Sequence, residues 1–388
     1  MKIVDISEFY SPTGGGVRTY VEEKFRAAEK CGHDLTVIAP GPEDGVERRG
    51  HGRIIWLKSP VLPFDSNYHM FVRKEPVWRV LDAMKPDLIE ASSPWRGGWI
   101  AGTWPGAARR VLFMHADPVA VYPQTMLGNH LSSHRIDRLF GWFWRYLCHL
   151  NDHFDGCIVA GHWLAARFSN HGLKNLHTVP FGVESQRFSP AHRMDYLRKE
   201  MLAHCGLGPE GLLVVIAGRH HPEKRVEMLI EAVTRAQSSR PVGLFIIGDG
   251  LAHERIRRKA ALAEHVHIAG RIDDRALFAD MMASADALLH GSTSETFGFV
   301  VAEALASGTP VIVPRAGGAG ELASPQWAEI YKPGSATDAA DAVLRMAARD
   351  RSALSKEARI AGLRLGSMEQ HFERLFGLYE NLSRPMEI

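Results

Sequence analysis

The stretch SETFGFVVAEALASGTPVI, Ser294 to Ile312, carries two carboxylates in the pattern Glu-x7-Glu. Glu295 falls in what reads as a loop, and Glu303 on a helix predicted over Gly298–Ser307. One carboxylate from a loop and one from early helical turns can face a common cleft, and carboxylates accept hydrogen bonds from sugar hydroxyls. Beside Gly298, the amides of Phe299 and Val300 stand at the helix start, where backbone N–H groups lack intrahelical partners and suit an anion or a sugar oxygen. The plainer alternative makes Glu295 a helix cap and Glu303 a surface charge. The small apolar neighbours Val301, Ala302, Ala304 and Ala306 count against a casual surface charge.

A second segment, GRHHPEKR (Gly218–Arg225), puts Arg219 and Lys224 at a predicted strand-to-helix junction. Two cations there can neutralise a diphosphate, the guanidinium as a fork and the ammonium as a point charge. The alternative is a solvated loop. His220 and His221 have no Cys or further His at ligand spacing beside them, so no metal is expected. A third segment, TGGGVRTY (Thr13–Tyr20), opens a helix soon after the first strand. Glycines such as Gly15 and Gly16 let a backbone approach a ligand, and the helix start favours an anion. A tight turn without a ligand explains the same glycines, and the spacing is not that of a dinucleotide fingerprint.

These motifs need strands to present them, and the sequence supplies two series. Ile3–Ile6, Leu35–Ala39, Asp87–Ala91, Val111–His115, Cys157–Ala160 and Leu176–Val179 read as strands with helical stretches among them. A second series starts at Leu212 and runs through Val242–Ile247, Val266–Ala269, Ala287–His290 and Pro310–Val313 to Ile330–Tyr331. Alternation of this kind predicts α/β domains with parallel, doubly wound sheets, whose sites lie at the carboxyl ends of the strands. The boundaries expected are 1–190, 191–365 and a final helix within 366–388.

The 388 residues, 45% hydrophobic and 23% charged, are ordinary for a globular chain of two domains. A net charge of +2 argues against a strongly basic nucleic-acid binder. Four cysteines without paired spacing fit a reducing compartment. Asp5 and Glu8 interrupt the apolar stretch a signal peptide needs, and a cytoplasmic protein is expected.

The Glu-x7-Glu pattern, the GR…EK loop, IIGDG (Ile246–Gly250), HVHIAGRI (His265–Ile272) and GTPVIVPRAGGAGE (Gly308–Glu321) occur in the order seen in family 4 of the retaining glycosyltransferases. With GGGV near the start, the resemblance covers almost the whole chain. It implies the GT-B fold, two Rossmann-like domains facing across a cleft, with a C-terminal helix crossing back to the first domain. It also implies roles. Arg219 and Lys224 would bind the donor diphosphate, and Glu303 would accept from ribose hydroxyls. Glu295 would meet the donor sugar near the amides of Gly298, Phe299 and Val300. The backbone of Ile272 would meet the base, and Gly15 and Gly16 would close over the donor. His115, in FMHADP, matches an active-site histidine of the acceptor domain, although a lone histidine is more often structural. Arg225 stands where many members have Gly. No DxD occurs, so neither a metal nor another cofactor is expected. The resemblance favours front-face attack, with the leaving phosphate taking the acceptor proton.

The donor expected from family frequency is a UDP-sugar, with a GDP-sugar as the alternative. For the acceptor, LFGWFWRYLCHL (Leu139–Leu150) with Arg135, Arg138 and Arg145 reads either as a basic aromatic helix lying on an anionic membrane, spanning 135–150, or as a buried helix. Pro94, Trp95 and the Trp99–Trp104 region read as aromatic loop surface. That surface suits a lipid or a sugar acceptor alike; it is the resemblance to bacterial glycolipid-forming members of the family that implies a membrane glycolipid or diacylglycerol head group, at the inner face of the cell membrane. A soluble sugar or polysaccharide precursor is the alternative. A UDP-sugar epimerase of the same fold and a non-catalytic nucleotide-sugar binder are further readings, both opposed by the intact transferase motif.

Overall fold

The computed structural model of the chain describes residues 1–12, 16–63, 65–127 and 131–384. Two compact units divide it. The first comprises Met1–His115, Asp137–Pro180 and Met368–Ile388; the second comprises Ala116–Ile136 and Phe181–Ser367. The division thus falls at Pro180, ahead of the boundary at 190 read from the turn-rich PFGVESQRFSP segment.

Among its described residues the first unit has ten strands: β1 Lys2–Ile6, β2 Asp34–Gly41, β3 Gly45–Arg49, β4 Gly52–Lys58, β5 Val61–Leu62, β6 Asp65–His69, β7 Leu88–Ala91, β8 Arg109–Met114, β9 Gly156–Val159 and β10 Leu176–Thr178. Eight form one sheet in the order β10-β9-β8-β7-β1-β2-β4-β3. Its pairs are parallel except β3, which runs antiparallel on β4. Strand β3 escaped the sequence reading because GVERR is charged and largely exposed; β4 carries the apolar run Ile54–Leu57 but only Ile54 in it is fully buried.

The second unit has β11 Leu212–Ala217, β12 Val242–Ile247, β13 Val266–Gly270, β14 Ala287–Leu289, β15 Val311–Pro314 and β16 Ala328–Tyr331. They form a six-stranded parallel sheet in the order β13-β12-β11-β14-β15-β16. Chain order reverses beside β11, where β12 lies on one side and β14 on the other. Ligands in such sheets bind at the carboxyl ends of the strands flanking that switch. Helices cover both faces by burying residues at helical spacing, as Val226, Leu229, Ile230 and Val233 do on the helix Val226–Gln237. Asp274, Ser335 and Asp350 cap the helices that follow them.

In the first unit, the C-terminal helix Met368–Ser383 packs on the helix Gly16–Lys30. Beneath them lies a wholly buried charge cluster. Lys24 pairs with Asp5 at 2.8 Å and with Glu90, which also accepts from the Tyr379 hydroxyl. Asp5 and Glu90 stand side by side in register on β1 and β7. Burial works against the ammonium of Lys24, but the two carboxylates outweigh it and hold its pKa above the ordinary value. No helix among the described residues is long and apolar enough to cross a membrane.

Candidate functional site

The loop after β11 and the loop after β14 meet at the switch point of the second sheet. Pro222–Lys224 makes a short 3-10 turn, and Arg225 then takes a left-handed conformation, φ +51°, before the next helix begins. That conformation favours glycine, so Arg225 holds it under mild strain. The turn brings Lys224 to the Glu295 carboxylate, with the Lys224 Nζ also 3.6 Å from Glu223. Both Lys224 and Glu295 side chains are 19% exposed, so the pair is shielded yet reachable. Burial raises the Glu295 pKa, but the charges facing it, Lys224 first, outweigh burial and hold the carboxyl below its usual range. His290 Nε2 lies 3.8 Å from the same carboxylate. Arg219 is 81% exposed, its guanidinium 3.9 Å from Glu223. The structure therefore gathers Arg219, Lys224 and Glu295, and adds His290 and Glu223, which motif reading did not single out.

Glu295 does not cap the following helix. Gly298 is the N-cap residue, with φ +91°, and no side chain bonds to the helix start. The helix Phe299–Ala306 begins its internal bonds at Val301 and Ala302, both donating to Gly298 O, so the Phe299 and Val300 amides lie ahead of the ladder. Gly318 N donates to Glu295 O at 2.7 Å, which fixes the loop from the other side.

Glu303 has a different partner. Arg275 donates to it at 2.6 Å, and burial still leaves the Glu303 carboxyl above its usual pKa. Arg275 sits over the rings of Phe188 and Phe278. This pair was invisible in the sequence because Arg275 lies on a separate helix. Ile272 follows edge strand β13 and is half-buried beside the Arg271–Asp273 ion pair.

In the first unit, His115 follows β8 and stacks on Phe113, with ring centroids 4.1 Å apart, against the edge of Tyr20. Gly16 opens the helix Gly16–Lys30, with open space around its Cα. Gly15 lies outside the described residues. The aromatic helix Gly141–Asn151 divides its rings. Trp144 is core, stacked on His171 at 3.7 Å and lying under Arg167. Trp142 is 59% exposed, with Leu139, Arg138 and Arg145 exposed nearby in sequence. Arg135, which belongs to the second unit, is also exposed. Of the two readings of this helix, Trp144 follows the buried one, its position coinciding with the buried Leu147 and Leu150 face. Trp104 is likewise buried, donating to Asp82, and Trp99 lies on the helix Arg96–Gly102 rather than on loop surface.

His371, on the C-terminal helix, sits between a Pro180 carbonyl and the Tyr20 hydroxyl. A carbonyl only accepts, so Nδ1 carries the proton and Nε2 accepts from Tyr20. Burial pushes the His371 and His290 pKa values down to about 4, and that of His115 to about 3. These imidazoles stay neutral in the fold, whereas in the unfolded chain they take up protons below about pH 6.5. The unfolded state then binds more protons, so stability falls as the pH drops from about 6.5 towards 4. Each group contributes a slope approaching about 1.4 kcal/mol per pH unit in that window. The urea midpoint is therefore expected to be lower at pH 5 than at pH 7.5, and an equal midpoint would contradict neutral burial.

One grouping lies beyond what local spacing could show. His220 is accompanied by further ligand-type residues: Asp249 and His253 converge on it, their ligand atoms within 4.8 Å of one another. The 33 residues separating the histidines hid this.

Comparison with known proteins identifies the family. The profile of Glycosyltransferase Family 4 matches residues 14–187, and that of Glycosyl transferases group 1 matches residues 211–349. A GDP-mannose-dependent alpha-mannosyltransferase of Mycobacterium tuberculosis is 31% identical over 338 residues, 86% of this chain and 84% of that protein. A GDP-mannose-dependent alpha-(1-6)-phosphatidylinositol dimannoside mannosyltransferase of the same species is 30% identical over 324 residues, 81% of this chain and 80% of that one. Sucrose-phosphate synthase from Thermosynechococcus elongatus superimposes with a TM-score of 0.74 at 20% identity, covering 98% of this chain and 99% of its own. That likeness speaks for the GT-B fold, and the sequence relatives for the reaction. With two Rossmann-like units and the Lys224–Glu295 pair at a strand switch, the chain belongs to the retaining family 4 glycosyltransferases and is a hexosyltransferase.

Proposed function

We propose that this chain transfers mannose from GDP-mannose to a lipid-anchored acceptor at an anionic membrane surface, without a metal ion. The observation that carries the chemistry is the Lys224–Glu295 pair beside exposed Arg219 at the carboxyl ends of β11 and β14. Negative charge grows on the leaving diphosphate as the sugar becomes oxocarbenium-like. Lys224 and Arg219 meet that charge with cations already in place. Lys224 keeps donor capacity beyond its bond to Glu295, and Glu295 offers its remaining lone pairs to hydroxyls of the donor ring. Glu303 accepts from the ribose hydroxyls, Ile272 meets the base with its backbone, and the Gly298, Phe299 and Val300 amides lie nearby. His115, neutral down to about pH 3, is a poor base at neutral pH and acts by hydrogen bonding. The acceptor proton then goes to the leaving phosphate.

The donor reading moves from UDP to GDP because two relatives matching over four-fifths of this chain are named for GDP-mannose. The lipid acceptor is supported by the relative named for a phosphatidylinositol dimannoside and by exposed Trp142 beside exposed arginines. Each near-surface arginine adds about 1 kcal/mol on an anionic leaflet.

The test is an incubation with radiolabelled GDP-mannose or UDP-glucose in the presence of EDTA, with anionic vesicles containing phosphatidylinositol or diacylglycerol glycolipids, or with soluble oligosaccharides. Label is expected in the vesicle lipid from GDP-mannose only, falling as salt rises. Transfer from UDP-glucose alone overturns the donor reading, transfer to soluble sugar alone overturns the lipid reading, and dependence on added magnesium or manganese overturns the metal-free reading.

A further inference from the structure

A second cluster of groups joins His220, on the loop that carries Arg219 and Lys224, to Asp249 and His253 after β12, and no step of the proposed transfer uses it. His220 Nδ1 faces His253 Nδ1 at 3.0 Å, and His253 Nδ1 lies 3.2 Å from Asp249 Oδ1. The residues come from the ends of β11 and β12, which are laced together there. His220 N donates to Asp249 O at 2.8 Å, and Ala252 N donates to His220 O at 2.7 Å. The close approach depends on Gly248, φ +142°, where a Cβ would lie 1.9 Å from Gly218 O. The arrangement is therefore set by backbone and does not depend on loose side chains meeting.

The lone pairs there outnumber the protons that can serve them. Both imidazoles turn Nδ1 inward, and Asp249 adds a carboxylate oxygen that also accepts from the Gly250 amide. A proton on His220 Nδ1 leaves the lone pair of His253 to face a carboxylate. A proton on His253 Nδ1 has to be divided between two acceptors. His220 is 1% exposed and its Nε2 is buried without a hydrogen-bond partner, so its polar contacts lie wholly on the Nδ1 side. We propose that His220, His253 and Asp249 bind a divalent transition-metal ion of the zinc class, which clamps the β11 loop to the β12 loop and leaves a coordination position open to water. Two imidazoles and a carboxylate select zinc, nickel or copper over magnesium or calcium. With ring centroids 5.1 Å apart the two Nδ1 atoms face almost head-on, so bonds of ~2.0–2.1 Å to one ion need the rings to part by a few tenths of an ångström and to tilt until both lone pairs converge on it. The ion lies beside the donor-binding loop and takes no part in the sugar transfer.

The experiment is calorimetric titration of the tag-free full chain, stripped by chelator and dialysed, with zinc ion. One tight equivalent is expected, accompanied by a raised melting temperature. Cobalt at the same site should give visible absorption of a tetrahedral or five-coordinate ion. His253→Ala and Asp249→Asn are each expected to weaken binding roughly tenfold or more. His204→Ala, in the separate His204–His267 ring pair, should bind as the parent does. His253 and Asp249 are partly exposed, so both variants are expected to fold, as circular dichroism would verify. No zinc equivalent in the parent chain, or an equivalent kept by both variants, overturns the proposal and leaves a histidine–histidine hydrogen bond in its place. Neither readout involves donor or acceptor, so failure here is separate from failure of the mannosyl-transfer reading.

Discussion

Lys224→Ala and Arg219→Ala are each expected to lower kcat/KM for sugar transfer by about 2–4 kcal/mol, or roughly 30- to 1,000-fold. The two cations stand where charge develops on the leaving diphosphate, and their contribution is larger in the transition state than in the bound donor. The effect should therefore fall mainly on kcat. The variants should also differ in a way their surroundings dictate. Arg219 is exposed and lies 3.9 Å from Glu223, which Lys224 also faces at 3.6 Å, so its loss still leaves that carboxylate a cation. Lys224 neutralises shielded Glu295, and its removal strands that carboxylate and lets burial raise its pKa. Lys224→Ala alone should thus lose stability that Lys224→Ala/Glu295→Gln recovers, while neither regains activity. Steady-state rates and melting temperatures measure both. Parent-like kcat/KM in the two single variants would remove these residues from the site.

Lys24→Met is expected to destabilise the first unit by about 3–5 kcal/mol, the cost of breaking a buried charge pair from one side. The substitution keeps the length of the stem and deletes only the ammonium. It leaves Asp5 and Glu90 adjacent in register, both wholly buried, with Tyr379 still donating to Glu90. Two facing carboxylates cannot both stay ionised in such surroundings. Adding Asp5→Asn and Glu90→Gln should restore much of the loss, because the whole cluster is then neutral. Urea unfolding followed by circular dichroism should show the change in one transition, since the second unit holds none of these residues. An unchanged midpoint for Lys24→Met would mean the cluster contributes nothing to holding the C-terminal helix on its sheet.

Much of the fold was legible because parallel strands buried on both faces are short unbroken apolar runs, and β11, β12 and β15 announce themselves that way. The charged edge strand β3 lacked that mark. The helices Ala336–Ala347 and Arg351–Arg364 went unread, although Ser335 and Asp350 cap them. For the site, local motifs named Arg219, Lys224, Glu295 and Glu303, because each lies next to a strand end or helix start that spacing reveals.

The sequence by itself determined the order of the elements, the two α/β halves and the chemistry-bearing loops, since all three rest on residues close together in the chain. Only the tertiary structure decided which groups meet. Lys224 reaches Glu295 and Arg275 reaches Glu303 because adjacent strands and helices bring distant segments side by side. The same holds for His220 and His253, and for Trp144, whose burial depends on the helix face turned to His171. Pairing energies act through space, at distances of a few ångströms that separation along the chain does not encode.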